Sequence, residues 1–133
     1  MSPKVLLVDD EERFRTTLSK MLKAHGFMVT DLGSAREALA ELQKNPYDVS
    51  VLDVRMPEMD GITALAEIKK IDPLLEVIIL TGHASMDAAT KLMWLGAYEF
   101  LLKPCPVEDL IDKIESAHER KTTREAQKRE EGG

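Results

Sequence analysis

At 133 residues, 44% hydrophobic and 32% charged, the chain suits one domain with a real core and is too short for two. That balance excludes a disordered chain and a membrane-embedded one. A net charge of −6 disfavours this domain as a direct nucleic-acid binder, and the single cysteine, Cys105, excludes an internal disulfide or a cysteine-built zinc site.

Short apolar runs alternate with longer stretches of helical period. Val5-Leu6-Leu7-Val8 is continuous rather than alternating, as in a strand covered on both faces. Phe14, Leu18, Met21, Leu22 and His25 then fall at helix spacing, and Gly26 closes that helix. Phe27-Met28-Val29 reads as the second strand. Ser34 with Glu37 forms a capping box ahead of Ala38, Leu39 and Leu42, and Asn45-Pro46 stops the helix.

Residues 49–53 read as the third strand, leading into Asp53. Met56-Pro57-Glu58-Met59-Asp60-Gly61 is loop chemistry, Ile62, Leu65 and Ile68 carry a helix, and Asp72-Pro73 breaks it. Val77-Ile78-Ile79-Leu80 is the fourth strand, ended by Thr81-Gly82. A helix over about residues 85–95 closes at Gly96, residues 98–102 form the fifth strand, and Val107, Leu110, Ile111 and Ile114 carry the last helix. Trp94 and Met93 are expected to pack in the fourth helix, with a share in a surface formed with the fifth strand and helix as the other reading. Five strand–helix pairs predict an α/β fold with a doubly wound parallel sheet.

In such a sheet the carboxyl ends of all strands share one edge, where ligands bind. Asp9-Asp10, Asp53, Thr81 and Lys103-Pro104 each follow a strand-like run, so this topology brings them together. Three carboxylates at close range call for a hard cation such as Mg²⁺, which takes carboxylates, waters and phosphate oxygens. Asp53, at the end of an apolar strand, is placed as a carboxylate nucleophile, with Lys103 and Thr81 as cation and hydroxyl for phosphoryl oxygens.

The runs Val8-Asp9-Asp10-Glu11 and Asp53-Val54-Arg55-Met56-Pro57-Glu58-Met59-Asp60-Gly61, with Thr81-Gly82 and Lys103-Pro104, resemble the response-regulator receiver domain, the CheY-like family of two-component signalling. The resemblance covers residues 3–118. It implies a flavodoxin-like sheet of order 2-1-3-4-5 with five helices, as in CheY itself. It also implies roles: Asp53 as phosphoacceptor, and Asp10 and Asp53 as Mg²⁺ ligands with Asp9 assisting and the Arg55 carbonyl as a further ligand. Thr81 would be the switch hydroxyl, Lys103 the phosphate-contacting lysine in a cis Lys103–Pro104 bond, and Phe100 the switch aromatic. Arg55 and His83 flank the site entrance, where they could tune the phosphoryl lifetime, although for His83 a solvated loop histidine is the preferred reading.

The function so implied is a phosphoryl-accepting switch rather than an enzyme acting on a separate substrate. A sensor histidine kinase or phosphotransfer protein would supply the phosphoryl group, and the face of the fourth helix, fifth strand and fifth helix would engage an effector domain, a protein partner or a second copy. A phosphatase of the haloacid-dehalogenase type needs a second aspartate where Arg55 stands, and the acidic first loop would repel a flavin phosphate. The alternatives kept are an aspartyl-phosphate-forming, phosphatase-like enzyme and a phosphorylation-independent pseudo-receiver. The start, four apolar residues followed at once by acids, is no secretory signal, so a cytoplasmic location without membrane partners is expected.

The apolar period stops near Ala117, giving a receiver over residues 1–118. Residues 119–133 are a charged extension, either a solvated continuation of the last helix or the start of a linker to a further domain. Lys121–Glu125 and Glu125–Arg129 have the spacing of helix ion pairs. No helix-turn-helix pattern is present.

Overall fold

Five strands and five helices alternate along the computed structural model, which describes residues 2–82 and 85–132. They are β1 (Lys4–Val8), α1 (Glu12–His25), β2 (Met28–Leu32), α2 (Ala35–Lys44), β3 (Val49–Leu52), α3 (Gly61–Ile71), β4 (Glu76–Thr81), α4 (Met86–Trp94), β5 (Glu99–Leu102) and α5 (Val107–Gly132). A two-residue antiparallel ribbon, Arg55–Met56 with Met59–Asp60, lies between β3 and α3. The five strands form one parallel sheet in the order β2-β1-β3-β4-β5, the doubly wound arrangement expected from the sequence.

The helix ends follow local chemistry. Gly26 closes α1 in the left-handed region at φ 114°, where a side chain would be strained. Ser34 caps α2 by accepting the Glu37 amide at 3.1 Å, while Glu37 reaches back to the Gly33 amide, one residue before the usual capping-box partner. Asp60 and Ser85 cap α3 and α4 in the same way. Gly61 opens α3 against Val54, and a Cβ there would overlap Val54.

Each strand sends alternate residues to opposite faces, so the sheet carries two cores. Leu6, Val8, Leu52, Val77 and Ile79 pack under α2, α3 and α4 with Ala38, Leu65, Ile68 and Leu92. Val5, Leu7, Val51, Ile78 and Leu80 pack under α1 and α5 with Leu22, Leu110 and Ile114. Burying one such aliphatic side chain contributes about 1.5–3 kcal/mol, so these two layers dominate stability. Ser50, fully buried inside β3, donates to the Leu6 carbonyl at 3.0 Å.

Three expectations are corrected in detail. The second strand begins at Met28 and runs on to Leu32, because pairing with β1 carries Thr30 and Asp31 into the sheet. The fifth begins at Glu99 rather than at residue 98. Trp94 does not pack in the fourth helix: it is 86% exposed, and Met93 is also exposed. The buried residue of α4 is Leu92, and two further residues turn a helix by about 200°, which points Trp94 away from the core.

At the amino-terminal edge of the sheet, α5 runs on past residue 118 without a break. Arg120 and Arg124 reach the fully buried Glu76 carboxylate at 3.2 and 3.1 Å. Lys121, only 6% exposed, pairs with Asp48 at 3.1 Å and Glu125 at 3.2 Å. The first turns of the charged extension are therefore fastened to the sheet, although they bury no apolar side chain.

Candidate functional site

The sheet topology delivers the acidic residues to one point. Asp9 follows β1, and its amide donates to Leu32 at the end of β2; Asp53 follows β3, and its amide donates to Val8. Both side chains are nearly enclosed, Asp9 at 2% exposure and Asp53 at 5%, whereas Asp10 faces solvent. One carboxylate oxygen from each of Asp9, Asp10 and Asp53 lies within 4.8 Å of the others.

Short local bonds fix these carboxylates. Asp9 Oδ1 accepts the Glu11 amide at 2.9 Å, and Asp53 Oδ1 accepts the Arg55 amide at 3.0 Å. The second oxygens meet the lysine: Lys103 Nζ lies 2.8 Å from Asp9 Oδ2 and 3.3 Å from Asp53 Oδ2. Glu11 adds a third contact at 3.2 Å, and the Phe14 ring lies beneath the ammonium with its centroid 4.0 Å away. One cation thus serves three carboxylates and rests on an aromatic face.

The protonation tendencies follow from this crowding. Burial pushes the Asp9 carboxyl above its ordinary value, although the hydrogen bond from Lys103 works the other way. For Lys103, burial disfavours the ammonium, but the Asp9 hydrogen bond and the Asp9 and Asp53 charges outweigh it and raise the pKa. The lysine therefore stays charged at neutral pH.

Thr81 ends β4, is fully buried, and accepts the Lys103 amide through its backbone carbonyl at 2.8 Å. Lys103–Pro104 is cis. Gly82 stands beside the site, and among the described residues the Lys103 Cβ is the near atom, 3.9 Å from where a Cβ would be. Phe100, half-buried on β5, packs against the core layer that contains Leu92. Arg55 is exposed at the site rim. His83 lies outside the described residues.

Contacts that the sequence reading did not foresee complete the surroundings. Glu11, read only as part of a motif, shares Lys103, and Phe14, read only as a core position of α1, supports it. Glu58 in the loop after Asp53 accepts the Ala35 amide at 2.7 Å, tying that loop to the start of α2. The only available signal for Glu58 was its place in the loop after Asp53, since its partner lies 23 residues away.

The donor set is all oxygen, carboxylates first, which suits a hard divalent cation such as Mg²⁺. Asp9, Asp10 and Asp53 converge closely enough to share one ion, so these residues fit it.

Comparison with known proteins shows the family and the fold. A family model described as the response regulator receiver domain matches residues 5–115. The C4-dicarboxylate transport transcriptional regulatory protein DctD of Rhizobium meliloti is 35% identical over 120 residues, covering 90% of this chain and 26% of DctD. The chain thus spans about a quarter of that relative's length. Among solved structures, the beryllofluoride-activated NtrC4 receiver domain dimer is 41% identical with a TM-score of 0.84, covering 89% of this chain and 98% of that one. A response regulator receiver domain protein from Clostridium thermocellum is 38% identical with a TM-score of 0.86, covering 91% and 98%.

Proposed function

The chain belongs to the response regulator receiver domain family, and from that premise we propose that it switches state when Asp53 accepts a phosphoryl group. The observation that carries this reading is the Asp53 carboxylate, 5% exposed, with one oxygen held by the Arg55 amide and the other facing Lys103. A carboxylate so placed is oriented for in-line attack at phosphorus.

Asp9, Asp10 and Asp53 would hold Mg²⁺, with the Arg55 carbonyl as a further ligand. When bound, the ion supplies charge neutralisation between the carboxylates and the incoming phosphoryl oxygens. An Asp53 oxygen forms the bond to phosphorus while the bond to the donor's nitrogen or oxygen breaks, and the donor keeps the electron pair. Lys103 then exchanges a carboxylate partner for a phosphoryl oxygen, and the Thr81 hydroxyl donates to another. Phe100 follows Thr81 inward, which changes the face of α4, β5 and α5.

The partners proposed with this reading are a sensor histidine kinase or phosphotransfer protein as donor, and an effector domain or second copy as recipient. A second copy finds support in the NtrC4 relative, whose activated receiver domain is described as a dimer. Membership in a longer regulator is supported by DctD, of which this chain matches about a quarter. No described helix is long and apolar enough to cross a membrane. We place the protein in the cytoplasm with that family.

The test is intact mass spectrometry after incubation with acetyl phosphate, with and without Mg²⁺, for wild type and Asp53→Asn. A Mg²⁺-dependent, base-labile phosphate adduct on wild type alone is expected. An adduct of equal yield on Asp53→Asn would assign the acceptor elsewhere.

A further inference from the structure

One cation beside the acid pocket is not used by the phosphoryl chemistry. Arg15, on the first turns of α1, is mostly buried and spans two strand ends. Its Nη1 donates to the backbone carbonyl of Asp9 at 2.8 Å, and its Nε donates to Asp31 Oδ2 at 3.0 Å. Asp31 lies in β2 opposite Leu7 of β1, and its other oxygen faces the buried Ser19 hydroxyl at 3.5 Å. The Asp9 amide is held by Leu32 of the same strand. Both sides of the Asp9 residue are therefore tied to the end of β2, one directly and one through Arg15.

Gly33 lies against the same guanidinium. A Cβ on Gly33 would lie 2.9 Å from Arg15 Nη1, so a methyl group there would press on the fork and shift it from its two bonds. A lysine would have to make both bonds from one nitrogen, whereas the guanidinium presents them from Nε and Nη1 in a fixed plane.

The chemistry of the pocket explains why such a clamp is useful. Asp9 and Asp10 converge with Asp53, and Glu11 shares Lys103 with Asp9 and Asp53, so their repulsion tends to spread the loop that carries them. Lys103 opposes this by occupying carboxylate oxygens, the same atoms a divalent cation needs. Arg15 instead grips the main chain and takes no carboxylate oxygen of Asp9, Asp10 or Asp53, while Asp31 balances its charge.

We propose that Arg15, seated by Asp31 and covered by Gly33, is a positioning residue that presets the Asp9–Asp10 carboxylates for a divalent cation. The proposal rests on the reading of this pocket as the Mg²⁺ and phosphorylation site. Outer groups that orient metal ligands typically alter affinity by about 10- to 100-fold when removed. Arg15 acts through backbone, so the lower end applies.

The test measures Mg²⁺ binding to the unphosphorylated protein by titration calorimetry, alongside acetyl phosphate labelling. Arg15→Gln is expected to weaken Mg²⁺ binding about tenfold, and labelling should recover as Mg²⁺ is raised to saturation. Asp31→Asn and Gly33→Ala should shift binding in the same direction, and the Arg15→Gln/Asp31→Asn pair should be less than additive. If Arg15→Gln does not fold, Arg15→Lys and Gly33→Ala carry the same expectation. Tyr47→Phe, which removes hydrogen bonds to Thr30 and Glu41 away from the pocket, should lower the melting temperature without changing Mg²⁺ affinity. Wild-type Mg²⁺ affinity in the folded Arg15 and Gly33 variants would overturn the proposal, as would an equal loss in Tyr47→Phe. A wild-type protein that neither binds Mg²⁺ nor labels would instead reject the pocket reading beneath it.

Discussion

The two edges of the sheet each hold a cluster of charges, and their balance differs. At the carboxyl-terminal edge Asp9, Asp10, Glu11 and Asp53 face one ammonium, Lys103. At the amino-terminal edge Asp48, Glu76 and Glu125 face Arg120, Lys121 and Arg124, three against three. Both edges bury carboxylates, so burial does not separate a site from a brace. What separates them is uncompensated charge: the first cluster has room for a further cation, and in the second each carboxylate already faces a resident cation.

The sharpest way to break this contrast is to remove one acid from each edge. Asp53→Asn should abolish acetyl phosphate labelling while leaving unfolding stability equal or higher, since it relieves repulsion. Glu76→Gln should leave labelling intact, but it strands Arg120 and Arg124 beside a buried amide. Losing a partner from a buried ion pair costs about 3–5 kcal/mol, and the partly exposed arginines reduce this to about 2–3 kcal/mol by urea unfolding. A stability loss in Asp53→Asn as large as that in Glu76→Gln would erase the distinction.

The pH dependence should have opposite sign at the two edges. Burial alone would raise Asp48, but the Lys4 amide and Lys121, with a smaller contribution from His118, hold it below its ordinary value of 3.8. Its ionised form is thus favoured by folding, so its stabilisation is present above pH 3.8 and is lost as pH falls through the lower folded value. Asp9 is raised above 3.8 chiefly by burial, so its relation reverses: stability is fully present below 3.8 and declines as pH rises through the folded value. Asp48→Asn should therefore destabilise at pH 7, by about 1–2 kcal/mol for its charged hydrogen bonds, and less near pH 3. Asp9→Asn should stabilise at pH 7 and have little effect near pH 3. Urea melts at both pH values measure each case.

Removing the lysine that neutralises the open edge sharpens the comparison further. Lys103→Ala should lower the melting temperature in chelator and regain more on adding Mg²⁺ than wild type does, because the ion then meets carboxylates with no resident cation. An identical Mg²⁺ response in both proteins would argue that Lys103 and the ion do not share those oxygens. The smallest effect should come from Trp94→Ala. The side chain is 86% exposed, so stability should stay within about 0.5 kcal/mol and monomer labelling should not change. A change confined to self-association, read by analytical ultracentrifugation after phosphorylation, would place Trp94 on the contact face.

Much of the fold was legible because short continuous apolar runs and helix-period stretches demand different partners. Val5 to Val8 cannot be amphipathic, so it had to be covered on both sides, and the alternation that followed fixed the class. The charged extension was harder. Residues after Ala117 show no apolar face, and the sequence left solvation and a linker start equally open. Lys121 and Arg124 pack nonetheless, because Asp48 and Glu76 wait 73 and 48 residues away, at strand starts that local pattern does not relate to α5. Trp94 went wrong for a related reason, since hydrophobicity suggested packing but the phase of a nine-residue helix gave the core to Leu92.

By itself the sequence determined the element order, the parallel doubly wound class and the set of polar residues that follow its strands. Those depend on neighbours within a few positions: apolar period, caps and the residues at strand ends. Only the tertiary structure decided which oxygen meets which cation. Lys103 reaching across to Asp9, Glu11 and Asp53, Arg15 gripping the Asp9 carbonyl, and Glu76 sealed beneath two arginines all join residues from different elements. Such contacts are set by the register of one strand against another and by helix phase, because a shift of one residue turns every side chain to the opposite face.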